Sequence, residues 1–336
     1  MLRAWYGVTS TSGQAGHALD LLVNKFGLEY PMALEPLDKC RYIDDITPGS
    51  NTKEGREEQI KQCQELLDKG GFRLKFVVKS GEPPCDKASS DGQSMKLLGY
   101  KWIPEEDMLS PGLSELNFNK KQRGSKKPNR EPVVTRQDAE ALLRDLIITR
   151  RIVVAKVSEF FDPLGCFEPI KLQLKLAMRP LVDLDWEDPL LVEDQQAWKE
   201  RFIEYIDLTT MQAKRSVVVL EEGNSLIRLI GFSDAAEHAG GAVIYAAVRQ
   251  ADGTYSCTML EAKSKLLHDT IPRNELSALL LLMELMFVAK RAIGTRVQKL
   301  LYLTDSAVAL AWCQSIGKML RLFVNNRVEA IRRMVD

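Results

Sequence analysis

The 336-residue sequence has only three histidines, His17, His238 and His268, and none lies within metal-ligand spacing of another. Its six cysteines, Cys40, Cys63, Cys85, Cys166, Cys257 and Cys313, form no C-x-x-C pair. Zinc ribbons and knuckles are therefore disfavoured, and reduced intracellular thiols are the expectation. There is no charged, then apolar, then small-residue leader. The most apolar run, residues 278–289, is interrupted by Glu284 and is too short to span a bilayer. Net charge is also missing, with 46 basic and 46 acidic residues, so the whole-chain balance points to no partner. Residues 226–336 hold 14 basic against 10 acidic residues, a weak lean towards an anionic partner in the C-terminal third.

What is present is soluble, mixed material: 45% apolar and 27% charged residues, over a length that suits two or three domains. In the first region the spacing predicts helices over residues 13–25 and 53–69, the second with Ile60, Cys63 and Leu67 on one face and Gly70-Gly71 as its C-cap. Residues 38–49 read as a hairpin bent at Asp44-Asp45. Phe72, Leu74 and Phe76 alternate with Arg73 and Lys75 as a half-buried strand, and residues 96–102 read as another, with Gly99 marking a close backbone approach. Residues 119–130 hold six cations and no acid, which suits a solvated connector or a phosphate-backbone contact. Next come helices opening at a capping box, Thr135 to Asp138, and continuing through Leu142–Ile147, residues 153–161 and 168–178, and a segment with Trp198, Phe202 and Tyr205. Asp162-Pro163-Leu164-Gly165 stops the second of these.

From residue 225 the order is β-β-β-α-β-α: strands at 227–232, 241–248 and 255–262, a helix at 274–292, a strand at 299–303 and a helix from 307. A last helix, 320–335, turns Leu322, Val324, Val328 and Ile331 inward. The fold class is mixed, α+β or α/β, in several domains.

Three acids fall at element ends. Asp234 ends the first of these strands, Glu275 opens the long helix and Asp305 ends the fourth strand. Gathered at one sheet edge they repel one another unless divalent cations neutralise them. Oxygen ligands without histidine or thiolate select Mg²⁺ or Mn²⁺. Two such ions about 3.5–4 Å apart support phosphodiester hydrolysis. Spacing alone leaves the blander reading open, in which the aspartates are turn residues and the glutamate a helix-start acid favoured by the macrodipole.

The surrounding residues resemble a known family. Residues 229–245 (LIGFSDAAEHAGGAVIY), 263–276 (KSKLLHDTIPRNEL) and 303–312 (LTDSAVALAW) resemble the three motifs of the ribonuclease H domain in Pol polyproteins of BEL/Pao retrotransposons. The resemblance implies that Asp234, Glu275 and Asp305 are its metal ligands. Upstream, Tyr42-Ile43-Asp44-Asp45 is similar to the Y-x-D-D motif of reverse transcriptases, Leu98-Gly99-Tyr100 to a palm primer-grip strand, and Phe160–Gly165 and Asp185–Pro189 to the connecting segment of these elements. It implies a partial reverse-transcriptase palm (1–112), a basic linker and helical connection (113–224) and a ribonuclease H-like domain (225–336), with Asp44 and Asp45 as further catalytic and metal residues. It also implies RNA–DNA hybrid and template-primer nucleic acid as partners, with the rest of a Pol polyprotein, no membrane, and a cytoplasmic or nuclear place of work.

The pattern has gaps. No earlier palm aspartate precedes Asp20, which sits in a helical pattern, so polymerisation by this chain alone is not expected. A fourth ribonuclease H carboxylate is missing as well, since Asp336 follows Arg332-Arg333-Met334 too closely. Two functions follow: hydrolysis of RNA in RNA–DNA hybrids, or a catalytically degenerate nucleic-acid-binding remnant. An integrase or transposase is disfavoured, because those place their glutamate last.

Overall fold

The structure, a computed structural model, describes residues 11–89, 91–112, 135–208, 210–215, 226–250, 252–317 and 319–335. The basic stretch 119–130 and Asp336 lie outside the described residues. The chain divides into two compact units at residues 78 and 79.

The described part of the first unit runs through α1 (Thr11–Phe26), α2 (Pro31–Lys39), β1 (Arg41–Tyr42), β2 (Asp45–Ile46) and α3 (Lys53–Lys69). Leu19 and Leu22, Ala33 and Leu37, and Cys63, Leu66 and Leu67 bring the three helices onto one core. Helix α3 begins where the Thr52 hydroxyl accepts the Gly55 N–H at 3.0 Å, and it ends at Gly70, with Gly71 at φ 74° beyond it. The strand expected at 72–76 does not form. Phe72 and Leu74 do pack on the core, but their backbone finds no ladder partner, so the alternation records burial without pairing. Helix α2 is unexpected: Pro31 starts it and a buried Pro36 lies inside it.

The second unit begins with an antiparallel sheet in the order β3 (Met95–Leu97), β4 (Tyr100–Ile103), β5 (Met108–Pro111), β6 (Ala213–Lys214). The single strand expected at 96–102 is in fact a hairpin. Leu98 and Gly99 turn at φ 48° and 91°, and two consecutive positive values match the right-handed twist of the flanking strands. Gly99 also makes a close approach, since a Cβ there would lie 2.3 Å from Phe161 Cδ1. Because β5 pairs with β6, residues 95–111 share a sheet with 213–214 across the boundary expected at 112.

Helices α4 (Arg136–Arg144), α5 (Arg150–Glu159), α6 (Glu168–Met178) and α7 (Val192–Leu208) follow. Thr135 and Thr149 cap the first two, and α4 stops before the expected 146–147. Val153, Trp198 and Phe202 are fully buried.

The last part contains β7 (Ile227–Ala235), β8 (Ala239–Arg249), β9 (Tyr255–Leu266), α8 (Ile271–Ile293), β10 (Val297–Thr304), α9 (Ala307–Gln314) and α10 (Leu322–Val335). The sheet order is β10-β7-β8-β9, with β10 parallel to β7 and the other pairs antiparallel. Helix α8 buries Leu276, Leu279, Leu282, Met283 and Met286. Gly231 admits it to the sheet: a Cβ there would meet Leu282 Cδ1 at 2.4 Å. On α10, Val324, Val328 and Ile331 are buried as expected, but Leu322 in the first turn is 76% exposed, ahead of the packed part of the helix.

Candidate metal centre

Strands β7 and β10 run side by side in the same direction, with Ser233 opposite Thr304. The next residues, Asp234 and Asp305, therefore leave the pair at the same end. Helix α8 packs against β7 and β8, and its first turn brings Glu275 to that end. One carboxylate oxygen from each of Asp234, Glu275 and Asp305 lies within 4.8 Å of the others. Among the described residues this is the only group of three such side chains with that closeness.

The site is electrostatically uneasy without a cation. Asp234 and Asp305 are exposed and Glu275 is half-buried. Asp234 Oδ1 accepts the Ala235 N–H at 2.7 Å. Glu275 Oε2 is buried with no hydrogen-bond partner. Burial, followed by the charges of Asp234 and Asp305, pushes the Glu275 carboxyl above its ordinary value, and the Ala235 N–H only partly offsets this. A divalent cation would relieve both the repulsion and the orphaned oxygen. The donors are all hard oxygens, so the residues present fit Mg²⁺ or Mn²⁺.

The other acids singled out in the sequence are arranged differently. Ile43 and Asp44 form the hairpin turn, with Ile43 at φ 55°, and Asp45 begins β2 opposite Tyr42. Both aspartates are exposed, and no third acid joins them among the described residues. Burial and the neighbouring Asp44 raise the Asp45 carboxyl. His17, His238 and His268 are on the surface. Trp102 is buried, and its indole N–H donates to Asp107 at 3.0 Å.

Sequence reasoning missed Asn274, the residue before Glu275, which is 1% exposed and hydrogen-bonded on every side. Its signal was a polar residue on the inward face of a helix's first turn, where burial demands partners.

No curated protein matches the chain. Among solved structures, a foamy viral protease–reverse transcriptase in complex with dsDNA aligns with 99% of this chain and 58% of its own, at 12% identity and a TM-score of 0.46. The N-terminal RNase H domain of a Mycobacterium tuberculosis protein, fused to maltose binding protein, covers 33% of this chain and 74% of its own, at 14% identity and 0.23. RNase H1 from the halophilic archaeon Halobacterium salinarum covers 32% and 76%, at 13% and 0.22. The family profile described as Pao retrotransposon-like RNaseH-like domain matches residues 149–306. That span begins at the cap of α5 and ends one residue past Asp305, and it holds the mixed sheet with all three clustered carboxylates. Residues 149–306 thus match a Pao retrotransposon-like RNaseH-like domain.

Proposed function

We propose that this domain hydrolyses the RNA strand of RNA–DNA hybrids, with Asp234, Glu275 and Asp305 holding Mg²⁺ or Mn²⁺. The observation that carries the reading is the convergence of three carboxylate oxygens within 4.8 Å, one glutamate oxygen being buried and unpartnered. When bound, divalent cations supply Lewis acidity at the phosphate and lower the pKa of the attacking water. The exposed Asp234 and Asp305 face incoming nucleic acid, while Glu275 anchors the site from the half-buried helix start. A hybrid would be recognised by shape, 2′-hydroxyls and phosphates, not by base identity.

The Asp44-Asp45 turn is the polymerase-like feature of the first unit. With two exposed acids and, among the described residues, no third beside them, we infer no nucleotide transfer by this chain alone. Among the described residues no helix is long and apolar enough to cross a membrane, and we place the work on nucleic acid in the cytoplasm or nucleus.

The test is incubation of the chain with a labelled RNA–DNA hybrid and Mg²⁺ or Mn²⁺, beside Asp234→Asn. Cation-dependent cleavage by the parent, reduced by about 100-fold or more in the variant, is expected. Binding without cleavage, equal in both proteins, would establish the degenerate nucleic-acid-binding remnant instead.

A further inference from the structure

Asn274 is a buried polar side chain that the proposed chemistry does not use. Its Nδ2 lies 3.1 Å from the Ala236 carbonyl, 3.0 Å from the Glu237 carbonyl and 3.2 Å from the Asp269 carbonyl. Its Oδ1 accepts the Asp269 N–H at 3.2 Å. Two amide hydrogens thus serve three carbonyls, and the acceptor end is occupied too. The main-chain N–H of Asn274 bonds to Thr270 O at 2.9 Å.

These partners lie on two segments. Ala236 and Glu237 follow Ala235, the last residue of β7 and the neighbour of Asp234, and Asp269 precedes α8, which carries Glu275. A backbone bond from Leu267 N–H to His238 O, 2.9 Å, joins the same two segments. Asparagine suits the position for a specific reason. Its short amide offers donors to the carbonyls and an acceptor to the Asp269 N–H at once. An aliphatic residue would remove the amide that serves these three carbonyls and the Asp269 N–H. An aspartate would aim an oxyanion at the carbonyls.

We propose that Asn274 is a positioning residue for the cation site. It ties the turn that follows Asp234 to the first turn of α8, and so fixes the spacing of Asp234 and Glu275 against their mutual repulsion. A cation then meets a preformed set of oxygens instead of drawing two loose segments together. The inference rests on the cation-binding reading above.

The test measures Mn²⁺ affinity by calorimetry on the full chain, together with thermal melting in chelator, for the parent, Asn274→Ala and Asn274→Leu. The expected result is cooperative melting of all three proteins in chelator, with Mn²⁺ bound about 10-fold or more weakly by both variants. A purely structural role would lower the melting temperature and leave the affinity of the folded molecules unchanged, and that result overturns the proposal. Loss of cooperative melting in both variants also overturns it, by making residue 274 a determinant of folding. Absence of Mn²⁺ binding by the parent is a separate outcome that removes the cation reading itself.

Discussion

Glu275 holds one buried, unpartnered oxygen beside two other carboxylates, and its raised pKa follows from that placement. Without metal, the folded state therefore holds the Glu275 proton more tightly than the unfolded state does. Between the ordinary carboxylate value and the raised one, the folded chain binds more protons, so stability falls as pH rises through that window and returns on acidification. Glu275→Gln removes the charge. It is expected to raise the chelator-treated melting temperature at neutral pH by a few degrees, flatten this pH dependence and abolish any gain from Mn²⁺; thermal melts across pH check all three. Asp162 is the opposite case, a buried carboxylate with full support. It accepts from the Tyr100 hydroxyl at 2.5 Å, Cys166 N–H at 3.0 Å and Phe167 N–H at 2.8 Å, and Leu164 N–H donates to the same hydroxyl at 3.0 Å. Asp162→Ala orphans these donors and is expected to cost about 2–4 kcal/mol in denaturant unfolding. The clustered acids were legible in the sequence because strand ends and helix starts can be read locally. Asp162 read only as part of a helix stop, since its tyrosine partner is 62 residues away.

At the scale of elements, β9 is the edge of its sheet, and an open edge invites pairing with another chain. The connection closes it. Ala262 N–H donates to Leu164 O at 2.9 Å, and Ser264 N–H donates to Glu168 Oε1 at 3.1 Å. Glu168 also accepts from the Ser264 hydroxyl and from Lys175 Nζ at 2.8 Å, so α6 is clamped to the strand. Gly165 is required by the closeness of this contact: a Cβ there would fall 1.9 Å from the Ala262 carbonyl oxygen, and its φ is 72°. Glu168→Ala strands the Lys175 cation and two Ser264 donors, and should lower stability by about 2–4 kcal/mol in urea titration. An unchanged midpoint would show that the clamp contributes nothing. Helices α3 and α6 span the residues expected from the sequence and α9 begins where expected, with Thr52 capping α3 and Ser306 capping α9. The region 72–76 was misread because alternation reports burial, whereas a strand also needs a partner. The hairpin around Leu98-Gly99 was misread because the turn lies inside an apolar run. The clamp was invisible, since its halves are 96 residues apart.

For the whole molecule, the second unit ties the connection and the ribonuclease H-like sheet into one body, and the family match over residues 149–306 spans both. A piece cut at residue 226 would lose Leu164, Glu168 and Lys175 and expose the β9 edge. It is expected to aggregate or melt well below a piece that starts at 149, as differential scanning calorimetry and size-exclusion chromatography would show. Equal melting temperatures would mean that the connection is a passenger. The central claim remains that Asp234, Glu275 and Asp305 form one cation-dependent centre acting on hybrids. Its most direct test is the single-turnover cleavage rate of a labelled RNA strand paired with DNA, at saturating Mn²⁺, for the parent and for Asp305→Asn. The account predicts cleavage that chelator stops and that the substitution slows by about 100-fold or more; a rate in Asp305→Asn equal to the parent's, or cleavage that persists in chelator, would contradict it.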